Sequence, residues 1–150
     1  MLVVFAGQIN YVLHKNSCSF YCTIKDDYSP SSYLVLSRKS PSRKALVRFR
    51  MSSHQLRIDT GRYEKIHRDD RICYSCTSNK IEDESHFLLE CKAYSQIRDT
   101  FFSKLETKIP YFKSLSHDTL ISLLMNSSDY FINCQLVSCI LQCLELRTKL

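Results

Sequence analysis

Apolar residues recur at three- and four-residue steps through most of this chain, the spacing that gives a helix one buried face. Tyr94, Ile97, Phe101, Leu105 and Ile109 make one such stripe, and Pro110 stops it. Ser116 stands where it can cap a short helix containing Leu120, Ile121, Leu124 and Met125. Asp129 can cap a last helix, in which Ile132, Leu136, Cys139, Ile140, Cys143 and Leu144 share a face. Upstream, Ser40 can cap and Pro41 suits the first position of a helix with a narrower stripe, Ala45, Leu46, Phe49, Ser53 and Leu56. Thr60-Gly61 breaks that pattern, and a polar, charged loop is expected from there through Asp70. Tyr28-Ser-Pro30 reads as a turn, and the residues before it follow no clear period.

Composition agrees with helices joined by short links. The 150 residues are 44% hydrophobic and 24% charged, a globular balance, and only two glycines and three prolines are present. So few chain breakers disfavour an all-β sandwich. The expected architecture is mainly α, a small helical domain built on residues 38–150 with an N-terminal segment at 1–37. The start, Met1 to Gly7, is apolar but short and lacks a basic region, so it is a poor signal peptide and too short to span a membrane. Eight cysteines without secretory context read as reduced thiols and metal ligands, which points to the nucleus or cytoplasm.

Charge changes the picture in one place. Net charge is +6, and residues 38–71 alone carry eleven bases against four acids, a balance of +7, while the flanks are near neutral. A localised surplus attracts phosphate, which makes Arg43, Lys44, Arg48, Arg50, Arg57, Arg62 and Arg68 candidate contacts to nucleic acid. The alternative is a solvated helix face.

The strongest chemical signal is Cys73, Cys76, His86 and Cys91, spaced C-x2-C-x9-H-x4-C. A structural zinc ion takes four nitrogen or sulfur ligands in a tetrahedron, and this set supplies three thiolates and an imidazole. The two-residue gap lets the chain turn into a knuckle, and Thr77 to Lys80 supplies the reversal. Glu82, Asp83 and Glu84 fall where a helix would begin and suit its positive end. Cys91 lies five residues beyond His86, about 140° round an ideal helix, so both reach one ion only if that helix ends or distorts near Glu90. Four protein ligands leave no place for a water, so the zinc is expected to be structural and the chain not to be an enzyme.

Other groupings carry less. His14, Cys18 and Cys22 fall four apart and could face one another, but no fourth ligand is near. Cys134, Cys139 and Cys143 read as core residues on an apolar stripe. His54 and His67 lie in the basic segment and read as surface histidines, and Asp69-Asp70 as local charge balance. No phosphate loop, nucleophile elbow or H-E-x-x-H is present.

Arg43-Lys-Ala-Leu, Phe49-Arg, Ser53-His-Gln-Leu, Thr60-Gly-Arg-Tyr63, Arg71-Ile-Cys, Ile81-Glu-Asp-Glu, His86-Phe-Leu, Cys91, Tyr94 and Ile97-Arg98 together resemble a known pattern. It is that of the zinc-binding region following the reverse transcriptase of non-LTR (LINE-type) retrotransposons. The likeness covers residues 43–98 closely and the flanks loosely. It implies one structural zinc on Cys73, Cys76, His86 and Cys91, and a role in holding RNA or DNA. It carries over no polymerase activity, because no aspartate motif of the catalytic palm occurs here. A chain of this kind would be a free-standing C-terminal piece of such an element. The competing expectation is a protein-interaction or purely structural zinc module, or a remnant without function, with Tyr94, Phe101, Phe102 and the last helix facing a partner.

Overall fold

The computed structural model describes residues 19–25, 30, 31, 34 and 41–150. Among these the chain is helical, with no strand beyond one antiparallel bridge between Ile72 and Ile81. Helix α1 spans Ser19–Ile24, α2 Pro41–Arg50, α3 Arg57–Tyr63, α4 Ser95–Glu106, α5 His117–Asn126 and α6 Tyr130–Arg147. Helix α6 packs against α2, α4 and α5, and α1 lies on α5. Being surrounded on three sides, α6 buries a wide arc that includes Ile132, Leu136, Val137, Cys139, Ile140 and Cys143. Cys139 and Cys143 are core residues as expected, whereas Cys134 is exposed and is not.

The expected caps at the C-terminal helices form. Ser116 Oγ accepts from the Thr119 N–H at 3.2 Å, and Asp129 Oδ1 from the Ile132 N–H at 3.0 Å. Each satisfies a donor that a helix end leaves open. Ser40 and the turn at Tyr28 lie outside the described residues, as do His14 and Cys18.

Two expectations upstream are corrected. The helix that starts at Pro41 does not run on to Leu56 but ends at Arg50, where Ser52 takes a left-handed backbone (φ 51°). The Ser53 N–H reaches back to Arg48 O at 2.8 Å and the Ser52 N–H to Phe49 O at 3.2 Å, a Schellman ending without glycine. That conformation costs a serine about 1–2 kcal/mol. The Ser52 hydroxyl offsets part of it by donating to the buried carboxylate of Glu84. Nor is Thr60-Gly61 a break. Both residues lie inside α3, which ends in the same way at Lys65 (φ 58°).

Gly61 is there for space. An added Cβ would stand 2.8 Å from Cγ of Arg71, whose guanidinium donates to Ile58 O at 2.7 Å and to Ile66 O at 3.0 and 3.1 Å. The core above is a string of rings. Phe20 meets Phe49 edge-on at 5.9 Å, Phe49 meets Phe87 at 5.8 Å, and Phe87 meets Tyr94 at 4.9 Å. It runs from α1 through α2 to the segment holding His86 and Cys91.

Gly61→Ala should therefore destabilise the protein by about 1–3 kcal/mol in urea unfolding, because overpacking against Arg71 outweighs the helix preference of alanine. A stabilised variant would show that Arg71 moves aside freely.

Candidate metal centre

The knuckle forms where the chain reverses. Cys73 N–H donates to Lys80 O at 2.9 Å, the Glu82 N–H to Arg71 O at 2.9 Å, and Asn79 turns the chain with φ 53°. Cys73 and Cys76 thus come from a tight hairpin rather than a helix. His86 and Cys91 come from the next segment. There the Asp83 carboxylate accepts from the His86 N–H at 2.8 Å, and residues His86–Glu90 wind as a π-helical turn. Its closing bond joins the Cys91 N–H to His86 O at 2.7 Å, across five residues instead of four. A π turn advances less per residue than an α-helix, so residues five apart fall on one face. This is the distortion near Glu90 that the spacing demands.

The four donor atoms lie within 4.8 Å of one another. Cys73 Sγ and Cys91 Sγ are 3.9 Å apart, and Cys76 Sγ is 3.4 Å from His86 Nε2. Zinc–sulfur bonds of about 2.3 Å at tetrahedral angles put two sulfurs about 3.8 Å apart, so the geometry fits a zinc-sized ion. The Nδ1 atom of His86 is buried without a hydrogen bond, and Oε2 of Glu90 stands 3.5 Å from it. Glu90 is itself held by Lys80 Nζ at 2.7 Å and His117 Nδ1 at 3.0 Å. A carboxylate behind the non-ligating nitrogen is the usual outer support of a metal-bound histidine.

The thiols differ. Burial pushes Cys73 up, and burial pushes Cys91 up to about 12. Burial also acts on Cys76, but hydrogen bonds from the Ser78 side chain and backbone and from His86 outweigh it and bring that thiol down to about 6. Without metal the site would hold one thiolate and two thiols at neutral pH, and a bound dication would displace the two remaining thiol protons.

Several residues around the site were illegible in the sequence. Glu82 serves the start of α3 rather than of the segment that follows it in sequence. It is fully buried, accepts the Arg57 N–H at 2.7 Å, and grips Arg147 of α6 through two bonds of 2.8 Å, with Cys73 Sγ 4.0 Å away. Glu84 is likewise buried and takes His54 Nε2 at 2.9 Å. His54, read as a surface histidine, is an interior one with a side chain 3% exposed, while His67 is exposed. Arg98 is buried and donates to Cys91 O at 2.9 Å, which fixes the end of the π turn. No local pattern signals these partners, since Glu82 and Arg147 stand 65 residues apart.

The seven candidate phosphate contacts separate in space. Lys44, Arg48 and Arg68 are exposed, and Arg43 and Arg62 are half-buried. Arg50 is 0% exposed, with its guanidinium on Met125 O and 3.4 Å from Asn126 Oδ1. Arg57 is buried, paired with Glu64 at 2.9 Å and stacked 4.8 Å from the Tyr74 ring centre. Arg62 pairs with Asp59 at 2.8 Å. Tyr94 and Phe101 lie in the core, and Phe102 packs against it.

The class these features define is a small helical protein with a candidate Cys3His metal centre. No protein-family model, no curated protein and no solved structure matches the chain, so the retrotransposon likeness rests on its residues alone.

Purified protein should take up one zinc per chain, release about two thiol protons on doing so at pH 7, and bind more weakly as pH falls from 8 to 6. Calorimetry in buffers of different ionisation enthalpy measures both. Cys91→Ser should lose the metal and much helical circular dichroism, and zinc uptake by that variant equal to the parent would remove Cys91 from the ligand set. Separately, Glu82→Ala should cost about 3 kcal/mol by leaving Arg147 and the Arg57 N–H without their acceptor, and Glu82→Leu with Arg147→Met should recover only the part owed to the unpaired guanidinium. A double variant no better than the single one would show that packing, not pairing, sets the loss.

Proposed function

We propose that this protein is a structural zinc-binding module that binds nucleic acid through its basic face and performs no catalysis. Three thiols and an imidazole are a donor set for zinc, and four protein ligands fill its tetrahedron. The reading of nucleic acid is carried by one observation above the others. Helix α2 holds Arg43, Lys44, Arg48 and Arg50 without an acidic residue, and Lys44 and Arg48 turn outward one helical turn apart. The +7 balance of residues 38–71 belongs to the same region, and the resemblance to the retrotransposon zinc-binding region supports the same ligand class. Arg50 and Arg57 serve the interior and Arg62 is held by Asp59, so Arg43, Lys44, Arg48 and Arg68 remain as the phosphate contacts. The interaction-module alternative draws on Tyr94, Phe101, Phe102 and the last helix, of which Tyr94 and Phe101 are buried and Phe102 packs against the core. No described helix is long and apolar enough to cross a membrane.

Binding to an oligonucleotide should fall steeply between 50 and 200 mM salt, since each neutralised phosphate releases counterions. Lys44→Glu with Arg48→Glu should weaken binding at low salt at least tenfold and flatten the salt slope by about two contacts. Fluorescence anisotropy measures both, and affinity indifferent to salt and to the charge reversal would overturn the reading.

A further inference from the structure

The three thiols of the metal centre do not share one environment. Cys73 is 3% exposed and Cys91 is 0% exposed, whereas Cys76 is only partly buried. The cause lies in the local fold. The Cys73 N–H is tied back to Lys80 O, and the Cys73 sulfur lies 4.0 Å from the buried carboxylate of Glu82. Cys91 closes the π turn, with Arg98 on its carbonyl. Cys76 stands instead at the head of the reversal, where Thr77, Ser78, Asn79 and Lys80 are all exposed. Its sulfur is 3.0 Å from the Ser78 hydroxyl, so one side of it meets a polar group at the surface rather than the core.

That difference decides which sulfur a reagent reaches. The reactive form of cysteine is the thiolate, and a bound dication makes thiolates of all three. They are then alike in charge and differ in access. A small oxidant such as hydrogen peroxide meets Cys76 from solvent, but has to pass packed side chains to meet Cys73 or Cys91. A second sulfur already stands behind the first, because the four donor atoms lie within 4.8 Å of one another. Cys73 shares the hairpin with Cys76, separated from it by Tyr74 and Ser75 alone, while Cys91 is fixed in the π turn.

We propose that Cys76 is an oxidative modification site, at which hydrogen peroxide converts the metal centre into a Cys73–Cys76 disulfide with release of the ion. The proposal rests on the zinc reading above and adds a regulation of that site. In the first step the Cys76 sulfur attacks one peroxide oxygen, the O–O bond breaks, and the departing hydroxide takes a proton to leave as water. Cys76 is then a sulfenic acid. In the second step the Cys73 sulfur attacks the Cys76 sulfur, the S–O bond breaks, and a second hydroxide leaves and is protonated. Two thiolates give up two electrons, and one peroxide with two protons becomes two waters. A site reduced to Cys91 and His86 no longer has the four ligands of a structural zinc.

The test uses the full zinc-loaded chain carrying Cys134→Ser, which removes an exposed thiol outside the site. It is treated with hydrogen peroxide, with and without dimedone to capture sulfenic acid. A chromogenic chelator reads zinc release, and peptide mass spectrometry places each modification. Zinc should leave in step with peroxide consumed, and dimedone should label Cys76 ahead of Cys73 and Cys91. Without dimedone, the peptide holding Cys73 and Cys76 should become lighter by two hydrogens, and a thiol reductant with added zinc should restore the parent. Cys76→His keeps a donor for zinc but has no oxidisable sulfur, and should release its metal about tenfold or more slowly under the same peroxide. Where that variant binds no zinc, the order of labelling in the parent decides. Dimedone first on Cys73 or Cys91, a disulfide to Cys91, or zinc retained after Cys76 is oxidised overturns the proposal and leaves the zinc reading standing. A parent chain that carries no zinc before peroxide is added removes both.

Discussion

The geometry of four donors around one ion governs the rest of this structure. His86 and Cys91 are five residues apart, and a regular α-helix would point them 140° away from each other. The chain meets the requirement with a π turn over His86–Glu90, closed by the Cys91 N–H on His86 O. Everything adjacent supports that irregular turn. Asp83 caps its start, Arg98 holds its end, and Phe87 sits between Phe49 and Tyr94 so that its outer side is fixed in the core. A strained local winding persists when its surroundings over-determine it, and here they do so from three directions.

Electrostatics tie the same centre to the far end of the chain. Glu82 is fully buried beside Cys73, and a buried carboxylate needs a full set of partners. It finds them in the Arg57 backbone and the Arg147 guanidinium, one from each side of the knuckle. The result joins α3, the hairpin and α6 at a single carboxyl group. Three arginines of the basic segment, and Arg98 beyond it, are engaged inside the protein rather than offered as surface charge. Arg50, Arg57, Arg71 and Arg98 all spend their guanidinium groups on carbonyls or carboxylates inside the protein.

What was legible beforehand is what depends on neighbours in sequence. The caps at Ser116 and Asp129, the stripes of α5 and α6 and the four-ligand spacing are all local and appear where expected, while α4 ends at Glu106, short of the stop expected at Pro110. The distortion at Glu90 was legible too, because it follows from counting residues round a helix. Three kinds of feature were not. The end of α2 was hidden because Ser52 stands in a position that usually carries glycine. Gly61 looked like a break because its purpose is to admit Arg71 from outside its own helix. The interior roles of His54, Glu82, Glu84 and Arg50 were hidden because their partners lie between 25 and 75 residues away.

That separation has a bearing on the order in which the molecule assembles. The knuckle and π turn span only 18 residues between Cys73 and Cys91, a short loop to close. The partner of Glu82 is 65 residues downstream, at the end of the longest helix. On a ribosome the metal-binding stretch emerges well before Arg147. A nascent chain that closed the knuckle early would carry a buried-to-be carboxylate still open to water, docked only when α6 arrives. The centre would then be complete in its ligands while its second half of charge balance was still being synthesised, and the last helix would act as the latch of a core already begun.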